Sequence, residues 1–328
     1  MLVVNMKKNL LIVLAMIVLL MGCSNAPIEN VVAGIKEPRT FSFGGPKNIN
    51  MLPIIADRMH FFDKYNLNMQ RQDIQTGKMA MDALLRGDID FATIVETNIA
   101  FAGFQNPDIE VIGIIEEKTD DALIVQENIK KPSDLIGKKI GATKGTTSEA
   151  FLIDFLKSND VEVSKVEIIN MPQPSIQAAM ANNNLDAGSM WQPFRYNVKG
   201  LEELSGKRNY KAYALIAVRK EFAEKNPIVV KNFLRALIEA ERYYNENQQQ
   251  ARNIFSEELA IPIGVLNDVW DDYRLEVSMK KELLDAIKTE GRWIIELEEG
   301  FSGKDLPNYS RFVDKSIIEK IDETRVKW

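Results

Sequence analysis

The chain has 328 residues, 45% hydrophobic and 27% charged, with a formal net charge of −6. This is the composition of a globular protein long enough for two domains, and its acidity makes it a poor nucleic-acid binder. One cysteine and one histidine exclude an intramolecular disulfide framework and a Cys/His zinc site, and leave His-paired nucleophilic catalysis to His60 alone.

The first element in chain order is an export signal. Lys7 and Lys8 precede an apolar run from Leu10 to Met21, which ends in Leu20-Met21-Gly22-Cys23. The run falls short of the roughly 20 apolar residues of a spanning helix and has the charge pattern and small residue of a secretory signal, with Met6 a suitable start. Leu-Met-Gly-Cys resembles the bacterial lipoprotein processing box. That resemblance implies removal of residues 1–22, a lipid such as palmitate on Cys23, and anchorage to the cell membrane on its extracytoplasmic side. Residues 23–39 then read as a tether.

Strands are expected next at 40–44, 67–72, 89–95, 109–115, 121–126, 138–143, 165–170 and 185–190. Helical patterns fall between them at 51–64, 78–86, 97–103, 148–159 and 174–182. Such alternation implies an α/β fold of mostly parallel sheets flanked by helices. From Lys220 the pattern turns mostly helical, with Phe233, Leu234, Leu237 and Ile238 on one stripe and Tyr243, Tyr244, Trp270 and Trp293 as packing aromatics.

A weak repeat sits at an offset of about 96 residues. MDALLRGDIDFATIVET (81–97) aligns with QAAMANNNLDAGSMWQP (177–193), pairing Asp90 with Asp186 and Gly87 with Asn183. Gly and Asn both suit a left-handed helix end. The repeat reads either as two lobes of like topology or as a chance pair of helix–turn–strand units. Under the first reading, 111–125 and 209–218 are the crossings, lobe one is 40–115 plus 216–328, and lobe two is 116–215.

The chain has neither a Walker A loop nor a G-x-G-x-x-G stretch, and no catalytic residue, metal ligand or cofactor site is assigned. His60, before Phe61 and Phe62, reads as structural or surface. Candidate binding segments lie at strand C-terminal ends, where open α/β sheets take ligands: GGPKNIN (44–50), ETN (96–98), KGTTSE (144–149) and MWQPF (190–194). Thr146 and Glu149 fit a capping box. Lys144, Gly145 and the hydroxyls of Thr147 and Ser148 exceed what a cap needs, and fit a socket for an acidic or carbonyl group. Trp191 reads as a cleft wall or a core aromatic. Glu96 reads as an acceptor for ligand N–H groups or as a helix cap.

The stretches LPIIADRMHFFDKYNLNM, MDALLRGDIDFATIVET, KKPSDLIGKKIGATKGTTSEAFLIDFLKSNDV and MANNNLDAGSMWQPF together resemble the ABC-transporter substrate-binding proteins of the nitrate/sulfonate/taurine type. That group includes relatives that bind thiamine-precursor pyrimidines. The resemblance implies a two-lobed type II periplasmic-binding-protein fold with a helical C-terminal segment. It also implies a monomer that hands a small solute to an ABC permease and ATPase without chemistry. Alignment with the family's binding loops gives Asn48, Glu96, Thr97, Gly145, Thr146, Thr147 and Trp191 as ligand contacts. Two positions where the family usually has glycine are His60 and Asn66 here. Trp191 suits a flat body and Glu96 suits N–H donors, so a pyrimidine fits these residues slightly better than a sulfonate. A pyrimidine-synthase-like enzyme on the same fold and a surface sensor lipoprotein are the competing readings.

Overall fold

The structure is a computed structural model that describes residues 37–119, 121–192, 194–198 and 200–328. The signal expected over 1–22, Cys23 and most of the tether lie outside the described residues. From Arg39 to Trp328 the chain is one compact unit holding two sheets, of seven and five strands.

The first βα run comprises β1 (Arg39–Gly45), α1 (Met51–Arg58), α2 (Phe61–Lys64), β2 (Leu67–Asp73), α3 (Gly77–Arg86), β3 (Phe91–Val95) and α4 (Glu96–Ala102). The single helix expected over 51–64 is two. It breaks at His60 (φ +58°), and the chain turns again at Asn66 (φ +55°). These are left-handed conformations that glycine adopts without strain. His60 itself is exposed and its ring Nδ1 lies 3.1 Å from Asp63.

β4 (Ile109–Lys118) closes this part of the large sheet, and β5 (Ala122–Val125) already belongs to the small one. There follow β6 (Lys139–Ala142), α5 (Thr147–Ser158), β7 (Glu167–Asn170), α6 (Gln173–Ala181), β8 (Ala187–Met190) and β9 (Glu202–Glu203). The chain returns to the large sheet with β10 (Ala212–Arg219). It ends through α7 (Lys220–Lys225), α8 (Pro227–Glu246), α9 (Gln248–Leu259), α10 (Ile263–Val269), β11 (Tyr273–Lys280), α11 (Glu282–Leu297), α12 (Ser316–Ile321) and β12 (Val326–Lys327).

The large sheet runs β12-β11-β4-β10-β3-β1-β2 and the small one β7-β6-β8-β5-β9. The sheets are mixed, which corrects the expectation of mostly parallel ones. β10 is antiparallel to β3 and β4, β11 to β4, and β5 to β8 and β9. A strand that enters a sheet directly from the other sheet has no crossover helix to turn it parallel, and β5 and β10 enter that way.

The weak repeat corresponds to a shared unit. β2-β1-β3 and β7-β6-β8 have the same parallel order. In each, the aspartate before the third strand clasps the first: Asp90 accepts from Ser42 N (2.9 Å) and Oγ (2.8 Å), and Asp186 from Lys139 N (2.9 Å). Gly87 and Asn183 both have positive φ.

The large-sheet core stacks Phe91 on Phe233, with ring centroids 4.5 Å apart, and sets Phe41 edge-on to both. Smaller clusters cover the two faces of the small sheet. Tyr244, Trp270 and Trp293 are buried as packing aromatics. β11 was not expected within the helical C-terminal half. Its alternation of Tyr273, Leu275 and Val277 with Arg274 and Glu276 is a strand pattern, masked by the helical runs around it.

Candidate functional site

At the C-terminal ends of β1, β2, β3, β4, β6 and β8 the two sheets face each other across a cavity of about 50 Å³. The large-sheet wall is Pro46, Asn48 and Ile49 after β1, Gln75, Thr76 and Gly77 before α3, Val95 and Asn98 at the start of α4, and Lys118 at the end of β4. The small-sheet wall is Thr146, Thr147 and Trp191. Beyond Asn98 a second cavity of about 430 Å³ opens between α3 and the 144–149 turn, floored by Met81, Phe101 and Phe301 with Lys78 and Lys144 at its sides.

The turn between β6 and α5 needs each of its residues. Gly145 sits at φ +71°, a conformation available to glycine. Its N–H donates to Glu149 Oε2 at 2.7 Å, one residue earlier than a capping box would have it. Thr146 occupies the N-cap, but its hydroxyl donates back to Thr143 O (2.6 Å). Ser148 is fully buried and stitches the turn to β8: its Oγ donates to Ser189 O (2.8 Å) while Ser189 Oγ donates to Ser148 O (2.6 Å). Thr147 Oγ1 donates to Asp121 Oδ1 at 3.3 Å. The first intrahelical bonds run from Glu149 N and Ala150 N to Thr146 O, so the N–H groups of Thr147 and Ser148 lead the helix. Burial pushes the Glu149 carboxyl up, opposed by the Gly145 N–H.

The opposite wall presents a second helix start. Thr76 caps α3, its Oγ1 accepting from Met79 N at 3.2 Å. Gly77 is required here, because an added Cβ would lie 2.5 Å from Asn98 Oδ1. Asn98 uses that oxygen to accept from Val95 N (2.9 Å), and its Nδ2 reaches Gly145 O across the gap at 3.4 Å. Lys118 is buried, with Nζ 5.9 Å from the centre of the Tyr273 ring. The cavity wall thus carries two helix N-termini and a lysine, and no aspartate or glutamate among the described residues lines it, Asp121 lying just behind Thr147. Such a wall favours an anion. Among the described residues no group of three or more His, Cys, Asp or Glu could hold a metal ion.

Of the expected contacts, Asn48, Thr146, Thr147 and Trp191 come together at this cavity, and Gly145 borders the larger one. Trp191 forms a wall, its ring 6.5 Å from that of Phe194 and tilted 78° to it. Glu96 and Thr97 line neither cavity. Glu96 is fully buried, its carboxylate accepting from Tyr210 Oη (2.5 Å) and Tyr213 N (2.7 Å). A helix that starts directly at the strand end turns its first two side chains inward and its third, Asn98, to the cavity. The expectation that Glu96 meets ligand N–H groups is therefore at odds with its position. Lys118, Thr76 and Gly77 were not anticipated. A lysine closing an apolar strand and a Thr-Gly pair opening a helix were the available signals.

The NMT1/THI5 like family model matches residues 48–251, well over half of the chain. The taurine-binding periplasmic protein of Escherichia coli K12 is 32% identical over 182 residues, which are 52% of this chain and 56% of that protein. The match thus spans little more than half of that relative. The periplasmic aliphatic sulphonate-binding protein SsuA of Escherichia coli superposes with a TM-score of 0.72 at 18% identity, over 84% of this chain and 97% of SsuA. The desulfurization enzyme DSZB superposes with a TM-score of 0.67 at 13% identity, over 88% of this chain and all of the enzyme. The fold is that of the periplasmic binding proteins, and the chain belongs to the NMT1/THI5 like family.

Proposed function

We propose that this protein is the extracytoplasmic solute-binding component of an ABC importer for small organic sulfonates, held at the membrane by a lipid on Cys23. One observation carries the solute class: two helix N-termini and Lys118 surround a small cavity that no carboxylate among the described residues lines. A sulfonate head placed there meets the N–H groups of Thr147 and Gly77 and the lysine charge, with Trp191 against its carbon chain. The remainder of a longer solute extends past Asn98 into the larger cavity. The similarity to taurine- and sulphonate-binding proteins supports the same class. The sequence preference for a pyrimidine leaned on Glu96, which is turned away from the cavity.

In this reading the two sheets belong to two lobes that close on the solute by bending at the passages between β4 and β5 and between β9 and β10. The expected bounds at 115/116 and 215/216 shift by a few residues, because β4 runs to Lys118 and β10 starts at Ala212 in the large sheet. Hinge closure of this kind needs only a few residues to absorb the change. An enzyme reading on the DSZB-like fold lacks support from the small cavity, because no cysteine, histidine or carboxylate among the described residues lines it. Calorimetric titration of residues 24–328 tests the solute class. Taurine and short alkyl sulfonates bind, while thiamine-related pyrimidines do not. Binding of a pyrimidine with no response to any sulfonate overturns the proposal. Release of the wild-type protein, but not Cys23→Ala, into the membrane fraction tests the anchor.

A further inference from the structure

Behind the cavity two carboxyl groups are buried side by side, and no cation among the described residues is paired to either. Glu96 on α4 and Glu290 on α11 are 0% and 3% exposed. Glu96 has the donors an ionised carboxylate needs, Tyr210 Oη and Tyr213 N. Both oxygens of Glu290 are buried with no donor in good hydrogen-bond geometry, as Thr97 Oγ1 is without an acceptor; Thr97 and Glu96 are the polar groups that approach Glu290. An ionised carboxylate in that position is strongly disfavoured, the more so next to a second negative charge. A proton on Glu290, donated toward Glu96, removes both problems.

We propose that Glu96 and Glu290 together bind one proton, carried by Glu290, and that the protonated pair fixes the return passage between the sheets through Tyr210. Tyr210 packs against the core clusters of both sheets and touches Phe151 of α5. The groups facing the pair among the described residues are the Thr97 hydroxyl on α4, Tyr210 on the return passage, Tyr213 at the start of β10, Asp121 on the outgoing passage, and Tyr309. None of these is a cation. Lys211 and Lys157 nearby are taken by Glu117 (3.0 Å) and Glu296 (2.7 Å), and Arg292 stands on the wall of the same cavity. That cavity, about 590 Å³, borders Glu290 and lets the proton exchange with solvent. Burial and the neighbouring Glu96 charge push Glu290 well above the usual carboxylate range.

Because the pair holds its proton more tightly folded than unfolded, its stabilisation is whole below the usual carboxylate range and is lost as pH rises through the pair's own titration. Infrared spectra at pH 7 should show a protonated carboxyl stretch in the wild type that is absent from Glu290→Gln. Denaturant unfolding from pH 6 to 10 should show the wild-type unfolding constant rising by about tenfold per pH unit until the pair itself titrates and levelling off above that, relative to Glu290→Gln. An unchanged carboxyl band, or parallel pH profiles, overturns the proposal. Should Glu290→Gln not fold, Tyr210→Phe carries the test: loss of a donor to Glu96 moves the levelling of the unfolding constant to higher pH, and an unmoved levelling point overturns the link to the return passage. The consequence for capture rests on the closure reading above. Wild-type affinity for taurine falls as pH rises through the folded pair's own titration while that of Glu290→Gln stays flat. If neither protein binds taurine at any pH, the solute reading fails and the infrared and unfolding results still decide the proton site.

Discussion

The two parallel units, β2-β1-β3 and β7-β6-β8, share strand order, helix placement and the aspartate clasp, yet they end differently. In the second unit β8 leads to Trp191, which walls the cavity. In the first, β3 passes directly into α4, and Glu96 turns away to hold the return passage. The same framework thus supplies a cavity-lining aromatic after the third strand of one unit and a carboxylate turned to the return passage at the same place in the other. The turns after β1 and β6 differ as well. Asn48 and Asn50 lead into a short 3-10 turn and α1, whereas Gly145, Thr146 and Thr147 lead straight into α5. The shared features are those that hold strands in order, and the differences lie at the strand C-terminal ends.

The clasp gives the largest expected effect. Asp90→Ala removes the acceptor for two Ser42 donors and an Arg219 ion pair at 2.8 Å, and should cost about 3 kcal/mol. Asp186→Ala, more open and with Lys139 N as its main donor, should cost about 1 kcal/mol. Urea unfolding of both variants compares the units directly, and equal losses would break the view that the first is the more tightly clasped. Lys118→Met sharpens the contrast at the cavity. It should weaken sulfonate binding by about 2 kcal/mol, the worth of a charge-assisted contact, while Glu96→Gln should change stability more than affinity. Comparable affinity losses in both would place Glu96 in the site after all.

Thr147→Ala keeps the N–H but removes the hydroxyl that ties the turn to Asp121, and should cost about 1 kcal/mol of stability with a smaller loss of binding free energy. Gly77→Ala drives a Cβ into Asn98 and should lower both affinity and stability. His60→Gly is the smallest change. Relief of a left-handed side-chain conformation, offset by the greater unfolded freedom of glycine, should stabilise by about 0.5–1 kcal/mol. Destabilisation instead would show that the His60–Asp63 contact outweighs the backbone strain.

Much of the framework was legible because local periodicity reports it. Every strand and helix expected between 40 and 190 lies within a few residues of an observed one, apart from the break at His60. There, helix-forming neighbours on both sides hid a turn that the family-glycine positions His60 and Asn66 had flagged. β11 was missed for the opposite reason, since its alternation is only eight residues long between helical runs. At the site, the 144–149 turn and Trp191 were legible as polar or aromatic residues at strand ends. Lys118 was not, because its contribution depends on where β4 stops relative to the other sheet.

The sequence by itself determined the αβ alternation, the twin aspartates and the glycine-dependent turn at Gly145, because each is written in spacing or in a residue's backbone freedom. Only the tertiary structure decided that the sheets are mixed, that Lys118 and Thr76 join Thr147 around one cavity, and that Glu96 meets Glu290, 194 positions later in the chain. Such meetings depend on which strand ends the two passages between the sheets bring face to face, and no local pattern encodes that.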